Sequence, residues 1–454
     1  MEEIKGKSVL ILGYGQEGKS THKYLREKHP DKIIGIADFQ EVKDCLDSTA
    51  TKIHTGSNYL SFIAEYDVIV RSPGITLLTP EIQAAINQGK QVTSATNIFL
   101  SQGRGTIIGI TGTKGKSTTS TLIFNILSKH YADVKLAGNI GKPALDYLAD
   151  SNENTIFVLE LSSYQLFDLK SSPHISVLLN IVPEHLDYHG GFENYIAAKE
   201  NILRYQTEKD FIIANPNHST VLLLLAKTAA KKIYFSPEKT AHYHYNSYIE
   251  DGYIVTCKDG IKQQVISIKD IPLIGAANLE NILAATTVGT ILDVPLTYIA
   301  EAIREFKPLR HRLEFVGEYK GIKFYDDSIA TIPQATINAI AALEKVETLI
   351  AGGHDRGLDF AELGTYIINK SIKTLILFPE TGNKIWEAVC KASPHKRPQK
   401  YDVTSMEEAI KIVYQTASVG TVCLFSPASP RTRWLFNTFD ERGDLFKEYL
   451  IKYG

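Results

Sequence analysis

Cysteine is scarce: the 454 residues contain four, at positions 45, 257, 390 and 423. None lies close enough to another for a CxxC metal site or a dense disulfide framework, so they read as reduced thiols. Neither charge sign dominates. Lys plus Arg is 49 and Asp plus Glu is 51, a formal net charge of -2, which excludes bulk basic attraction for nucleic acid. No apolar stretch nears the ~20 residues of a membrane span, and the first residues lack a long apolar leader core. From these absences we expect a cytoplasmic protein that binds neither nucleic acid nor membrane. Low-complexity linkers and short-period repeats are also missing. With 44% hydrophobic residues the chain is not disordered, and its length is a prior for about three domains.

What is present is an alternation of short apolar runs with helical spacing, the pattern of a parallel α/β sheet. Ser8 to Leu12 reads as a strand, followed by Gly13-Tyr14-Gly15-Gln16-Glu17-Gly18 and a helix from Lys19 to Lys28. Ile33 to Asp38 is a second strand ending in an acid. Glycines at that junction let backbone approach a ligand's phosphates at a helix N-terminus, and Asp38 suits a sugar or base donor. The unit points to nucleotide binding, with a plain tight turn as the alternative. A third run, Tyr66 to Val70, leads into Arg71-Ser72-Pro73-Gly74-Ile75, a strand-end loop.

A second unit starts near Thr106, with strands at 106–110, 156–159, 175–179 and 211–214 and a helix at 117–130. Residues 243–270 break the rhythm: Asp251-Gly252 and Asp259-Gly260 read as hairpin turns in a small antiparallel addition. A helix at 278–292 precedes a boundary in Phe306-Lys307-Pro308-Leu309, and strands return at 322–325, 348–351, 374–378 and 422–425. The expected fold class is α/β with three consecutive domains. These are a Rossmann-like N-terminal domain over 1–100, a central P-loop ATPase domain with the antiparallel addition over 101–306, and a Rossmann-like C-terminal domain over 307–454.

The most informative segment is Gly112-Thr113-Lys114-Gly115-Lys116-Ser117-Thr118. It joins a strand to a helix, so its N–H groups can wrap a polyphosphate at the positive helix end. Lys116 would neutralise β/γ-phosphates and the Ser117 hydroxyl would reach Mg²⁺. The general G-x-x-x-x-G-K-[ST] pattern fails, because Ile110 stands five before Gly115. Glu160 ends a neighbouring strand, where an ATPase sheet places a metal-binding carboxylate. His185, Asp187 and His189 follow the next strand, on the same sheet edge as Lys116 and Glu160. Lys199, read by itself, is a solvated helix lysine.

The run Gly109 to Thr118 resembles the phosphate loop of the Mur ligase and folylpolyglutamate synthase superfamily. Together with Glu160-Leu161-Ser162-Ser163, His185-Leu186-Asp187, Ala198-Lys199 and the N-terminal glycine unit, it is similar to the glutamate-adding branch of the Mur ligase family over nearly the whole chain. Ser72-Pro73-Gly74, Gly138-Asn139-Ile140-Gly141, Asn278-Leu279-Glu280-Asn281, His311-Arg312-Leu313-Glu314, Asp327-Ser328 and Glu441-Arg442-Gly443 belong to the same resemblance.

That resemblance implies an ATP-dependent ligase that joins D-glutamate to UDP-N-acetylmuramoyl-L-alanine through an acyl phosphate, as a monomer acting on small molecules in peptidoglycan synthesis. Tyr14, Gln16, Glu17, Asp38, Ser72, Pro73, Gly74, Asn139, Ser162 and His185 would hold the UDP-linked substrate. Gly112, Thr113, Lys114, Gly115, Lys116, Ser117, Thr118, Asn281, Arg312 and Asp327 would hold ATP. Ser117 and Glu160 would bind one Mg²⁺, and His185 with Lys199 a second. In this family the lysine is carbamylated, which converts a cation that repels Mg²⁺ into an oxygen ligand. Lys116, Glu160, His185 and Lys199 are thus the expected catalytic set, and Thr331, Arg356, Thr432 and Phe439 would meet the amino acid.

Departures from the family pattern cluster near the incoming amino acid. Ile329 replaces a usual lysine in Asp327-Ser328-Ile329-Ala330-Thr331, the segment Ser426 to Trp434 is altered, and Ala277 replaces a histidine. Arg356, Arg431 and Arg433 could compensate as carboxylate forks; alternatively the acceptor differs, for instance L-glutamate. A folate polyglutamylating ligase is disfavoured by the N-terminal glycine unit. An inactive nucleotide-sensing protein is disfavoured by the joint presence of Lys116, Glu160, His185 and Lys199.

Overall fold

Runs of β-branched and aliphatic residues a few positions long cannot bury both faces as helices, so they pair side by side and take helices on each face. The computed structural model describes every residue except 1–3, 5, 46–50, 239–243 and 433, and leaves out the side chains of residues 245 and 439. Three sheets form. The first contains β1 (Val9–Leu12), β2 (Ile34–Asp38), β3 (Thr51–Thr55), β4 (Val68–Arg71) and β5 (Gln91–Ser94) in the order β3-β2-β1-β4-β5. Every pairing is parallel. The order reverses at β1, and the crevice beyond β1 and β4 is where such sheets take ligands.

The second sheet contains β6 (Thr106–Thr111), β7 (Val134–Gly138), β8 (Ile156–Glu160), β9 (Ile175–Leu178), β10 (Phe211–Ala214), β11 (Lys231–Ser236), β12 (Tyr245–Glu250), β13 (Tyr253–Lys258) and β14 (Ile261–Ser267), ordered β14-β13-β12-β11-β10-β9-β6-β8-β7. The two Asp-Gly turns fall between β12, β13 and β14, which pair antiparallel as the sequence suggests. Both aspartates adopt positive φ, which the short Asp side chain tolerates. The addition continues the same sheet, because β12 pairs parallel with β11.

The third sheet contains β15 (Glu314–Tyr319), β16 (Ile322–Asp326), β17 (Val346–Gly353), β18 (Thr374–Glu380), β19 (Gln399–Asp402) and β20 (Val422–Phe425), ordered β15-β16-β20-β17-β18-β19. It is parallel except for the hairpin of β15 with β16. By chain contacts there are two compact units, Met1–Asp270 with Glu280–Arg304, and Ile271–Leu279 with Glu305–Gly454. The first carries two sheets and a core cluster that spans both, in which Phe99 of a helix beside the first sheet meets Phe157 of β8 edge-on at 5.0 Å. Among the described residues no helix is long and apolar enough to cross a membrane. All four cysteines are free, and Cys423 is buried.

Candidate active site

The site in the first unit grows from two glycine-rich strand–helix junctions. At the first, β1 ends in Gly13 with φ 90°, a conformation that favours glycine. A Cβ on Gly18 would lie 2.1 Å from the Gly13 carbonyl oxygen, so only glycine lets the helix Gln16–Lys28 start this close to the strand. The Tyr14 N–H donates to Asp38 Oδ2 at 2.6 Å, and Ser72 Oγ donates to the Gly13 carbonyl at 2.8 Å. Gln16 is exposed, whereas Glu17 turns inward and accepts from Gln165 Nε2 at 2.6 Å. Burial raises the Glu17 carboxyl above its usual range, with Gln165 and Arg71 pulling the other way.

The second junction follows β6. Gly112 and Gly115 both adopt positive φ, and a Cβ on Gly115 would lie 2.3 Å from Asn281 Oδ1. The loop therefore wraps tightly before the helix Lys116–Ser128, whose first turn carries Ser117 and Thr118 in buried positions. Lys116 Nζ donates to the carbonyls of Gly112 at 3.0 Å and Thr113 at 2.9 Å. Lys199 Nζ reaches the same loop, donating to Gly112 O at 2.8 Å and Thr111 Oγ1 at 3.2 Å. At 1% exposure it is far from the solvated lysine that its helix position suggests. Burial, then repulsion by Lys116, drives its amine well below the usual lysine range, against the pull of Glu184 and Glu160.

Carboxylates complete this second junction. Lys114 Nζ pairs with Glu184 Oε1 at 2.7 Å. Burial would raise the Glu184 carboxyl, yet Lys114, His185 and Lys116 outweigh it and bring it down to about 2. Glu160 ends β8 with 1% exposure; its Oε1 accepts from Asn139 Nδ2 at 2.7 Å, and its buried Oε2 has no hydrogen-bond partner among the described residues. Gly138 at φ 98° brings that turn in, because a Cβ there would lie 2.3 Å from the Glu160 carbonyl oxygen. His185 takes a left-handed conformation at the start of the short helix Leu186–His189, and its ring lies 5.0 Å from that of Tyr164. Ser162 caps the next short helix in a reciprocal box with Gln165.

Three family models match along the chain: the Mur ligase MurD-like N-terminal domain over residues 7–94, the Mur ligase middle domain over 110–289, and the Mur ligase glutamate ligase domain over 311–429. A UDP-N-acetylmuramoylalanine–D-glutamate ligase of Acetivibrio thermocellus is 35% identical, over 98% of this chain and 97% of that protein. One of the same name from Natranaerobius thermophilus is 34% identical over 100% of both. The chain belongs to the Mur ligase family. The fold agrees with solved members of it: a UDP-N-acetylmuramate-alanine ligase from Thermotoga maritima at TM-score 0.62 and 16% identity, covering 99% of this chain and 100% of that one, and a MurF ligase from the same organism in complex with ADP at 0.59 and 17%, covering 100% and 97%.

In this Mur ligase Asp327 directly follows β16, and the other C-terminal candidates lie on separate segments of the second unit. Asp327 is buried, accepting from Ser426 Oγ at 2.8 Å and from the Leu313 N–H at 3.2 Å. Burial pushes its carboxyl up to about 7, against those hydrogen bonds. Arg312 and Thr331 are half-buried, and Thr432 is buried. Arg356 is exposed, while Arg431 donates to the Phe436 carbonyl at 2.7 Å. Phe439 opens the helix Phe439–Tyr453 behind a Thr438–Glu441 capping box, and Arg433 lies outside the described residues.

Sequence reading misses four residues, two beside the phosphate loop and two at the Ser72–Ile75 loop. Glu184 was passed over next to His185, although an acid after a strand end was the signal used for Glu160. Tyr195 sits under Lys199, 4.9 Å from its ring centre, with its hydroxyl 3.0 Å from Thr113 Oγ1. Arg71 and Tyr188 tie the Ser72–Ile75 loop to the His185 turn. His189, by contrast, is fully buried against Ser163 Oγ at 3.0 Å, the position of a structural histidine.

Proposed function

We propose that this chain is an ATP-dependent ligase that joins D-glutamate to UDP-N-acetylmuramoyl-L-alanine in peptidoglycan precursor synthesis. One observation carries the reading furthest: two lysines, half-buried Lys116 and buried Lys199, converge on the Gly112 carbonyl of a glycine-tight loop beside the half-unpartnered carboxylate of Glu160. Curated relatives of nearly equal length, named for this reaction, support the substrates.

In this reading residues 1–100 take the UDP-linked substrate through Tyr14, Gln16, Glu17, Asp38 and Ser72 to Gly74, with Asn139, Ser162 and His185. Residues 101–306 take ATP on the loop Gly112–Thr118, with Asn281 at the base. Within residues 307–454 we read Arg312 and Asp327 as ATP-binding residues, and Thr331, Arg356, Thr432 and Phe439 as glutamate-binding residues. One chain supplies every set, which supports a monomer.

The residues fit a divalent cation. Glu160 Oε2 is buried without a donor, and with Ser117 it would hold one Mg²⁺; His185 and Lys199 would hold a second. Bound there, Mg²⁺ neutralises charge on phosphoryl oxygens. The suppressed basicity of Lys199 suits carbamylation: the neutral amine attacks carbon dioxide, loses a proton to water and becomes an anionic oxygen donor.

The chemistry follows from charge. A carboxylate is a poor acyl donor, so the alanyl carboxylate attacks the γ-phosphorus of ATP and ADP leaves. Lys116 and the loop N–H groups stabilise charge on the transferred oxygens. The neutral glutamate amine then attacks the acyl carbon and loses a proton to water or to the departing phosphate, the C–O bond to phosphate breaks, and an amide remains.

A second reading keeps the reaction but takes L-glutamate, favoured by Ile329 and the altered Ser426 to Trp434 segment. Phosphate release across a panel of D- and L-amino acids with UDP-N-acetylmuramoyl-L-alanine separates the two. Release confined to D-glutamate supports the first, and release confined to L-glutamate the second.

A further inference from the structure

Arg71 ends β4 with 1% exposure, and its charge is taken up by far more than one partner. Its Nη2 donates to Asp168 Oδ1 at 2.9 Å and to the Tyr164 carbonyl at 3.1 Å. Its Nη1 faces the carbonyls of Ile75 at 2.7 Å and of Ser72 and Pro73 at 3.3 Å each, and the Tyr188 hydroxyl at 3.1 Å. That hydroxyl in turn donates to the Pro73 carbonyl at 2.6 Å, with Ile75 O at 3.2 Å, and Thr76 Oγ1 donates to the Tyr188 carbonyl at 3.1 Å.

The carbonyl oxygens of one loop, Ser72–Ile75, are thus gathered by a guanidinium and a phenol. The phenol belongs to the helix that His185 starts, while Asp168 and Tyr164 lie beyond Ser162 and the end of β8. A guanidinium has five donors in a rigid fork, and such a fork can hold segments on either side of it; a lysine ammonium, a single charge point, cannot span them. Burying this cation is tolerable only because Asp168 and the carbonyls replace its water.

We propose that Arg71, Tyr188 and Asp168 form a positioning clamp that fixes the register of the Ser72–Ile75 loop against the His185 turn, so that the two sides of the substrate site behave as one part. The clamp rests on the reading of Ser72–Gly74 and His185 as groups that bind the UDP-linked substrate. It touches no reacting atom. Its effect is on where the alanyl carboxylate sits relative to the phosphate loop, and a misplacement of about 1 Å at that point is expensive in rate.

Tyr188→Phe removes one hydroxyl and leaves the ring packed, so the fold survives. The KM for UDP-N-acetylmuramoyl-L-alanine should rise about threefold to tenfold, while KM for ATP and Tm stay near wild type. Arg71→Lys should raise it further. In the double variant the two effects should be non-additive, since both remove one shared device. Additive effects of the two variants on KM, or KM values for both substrates that move together, overturn the clamp.

A measurement that needs no turnover guards against confusion with the underlying reading. In Tyr188→Phe, amide hydrogen exchange at Ile75 and at His189 should quicken together. Quickening at one alone overturns the clamp whatever the substrate is. If both amides quicken together in Tyr188→Phe while the wild-type protein releases no phosphate, the clamp stands and only the reading of the substrate is overturned.

Discussion

The two glycine-rich junctions of the first unit share a plan, strand, positive-φ glycine and helix, and differ in what surrounds them. At Gly13 the first free N–H is already taken by the Asp38 carboxylate, and the side chains within reach are Gln16, Glu17 and Ser72. At Gly112 three lysines, Lys114, Lys116 and Lys199, meet Glu184 and Glu160. Backbone geometry makes both loops able to approach phosphate; the gathered charge sets the Gly112 loop apart as the one suited to phosphoryl transfer. The near-neutral total of the chain conceals this, because the cations are gathered at one junction and offset elsewhere.

The largest test of that contrast is Lys116→Ala, which should lower kcat by about 10³-fold while calorimetric affinity for the UDP-linked substrate stays near wild type. Loss of that affinity together with rate would erase the division of labour. Lys199→Ala should lower kcat by about 10²-fold and recover in part with added short-chain carboxylates. The companion Lys199→Met should lose a similar factor in rate yet melt at or above the wild-type temperature, since it replaces a buried polar amine by an apolar side chain of similar length.

A smaller effect separates the junctions by pH. Burial holds His189, behind the second junction, down to about 4, with the neighbouring His185 and Lys199 adding to the shift. Because the unfolded chain binds that proton near 6.5, stability supplied by neutral His189 is present above that pH and lost as pH falls toward 4, about 3 kcal/mol in all. Glu17, at the first junction, runs oppositely: its raised carboxyl contributes most at low pH and less as pH rises through its folded value. Urea denaturation between pH 7 and 4 should therefore flatten in His189→Gln; an unchanged slope would remove His189 from this role. Smallest is Gln165→Ala, expected to cost about 1 kcal/mol by leaving Glu17 without its donor, read as a shift in the urea midpoint.

Much of this was legible beforehand because it depends on local pattern. The apolar runs at β1, β6 and β8, the glycines at 112 and 115, and both Asp-Gly hairpins are set by side chains next to one another in the chain. Edge strands were not legible: β3 is Thr51-Lys52-Ile53-His54-Thr55, mostly exposed, and carries too little apolar signal to separate it from a loop. β15, with Glu314, Gly317 and Glu318, fails for the same reason and supplies the antiparallel edge of the third sheet. Burial of Lys199 and the Arg71 network depend on segments about 90 to 120 residues apart, which no local window contains. For Lys199 only the family resemblance, and not its local pattern, singles the residue out as a site candidate.

If the Gly112 junction drives ligation on a substrate held by the Gly13 junction, phosphate release from ATP by the purified protein, followed with UDP-N-acetylmuramoyl-L-alanine and D-glutamate each present or omitted, should be sustained only when both are present. Lys116→Ala should stop it. That dependence is the sharpest expectation for the wild-type protein. Release that proceeds equally without the UDP-linked substrate would contradict it.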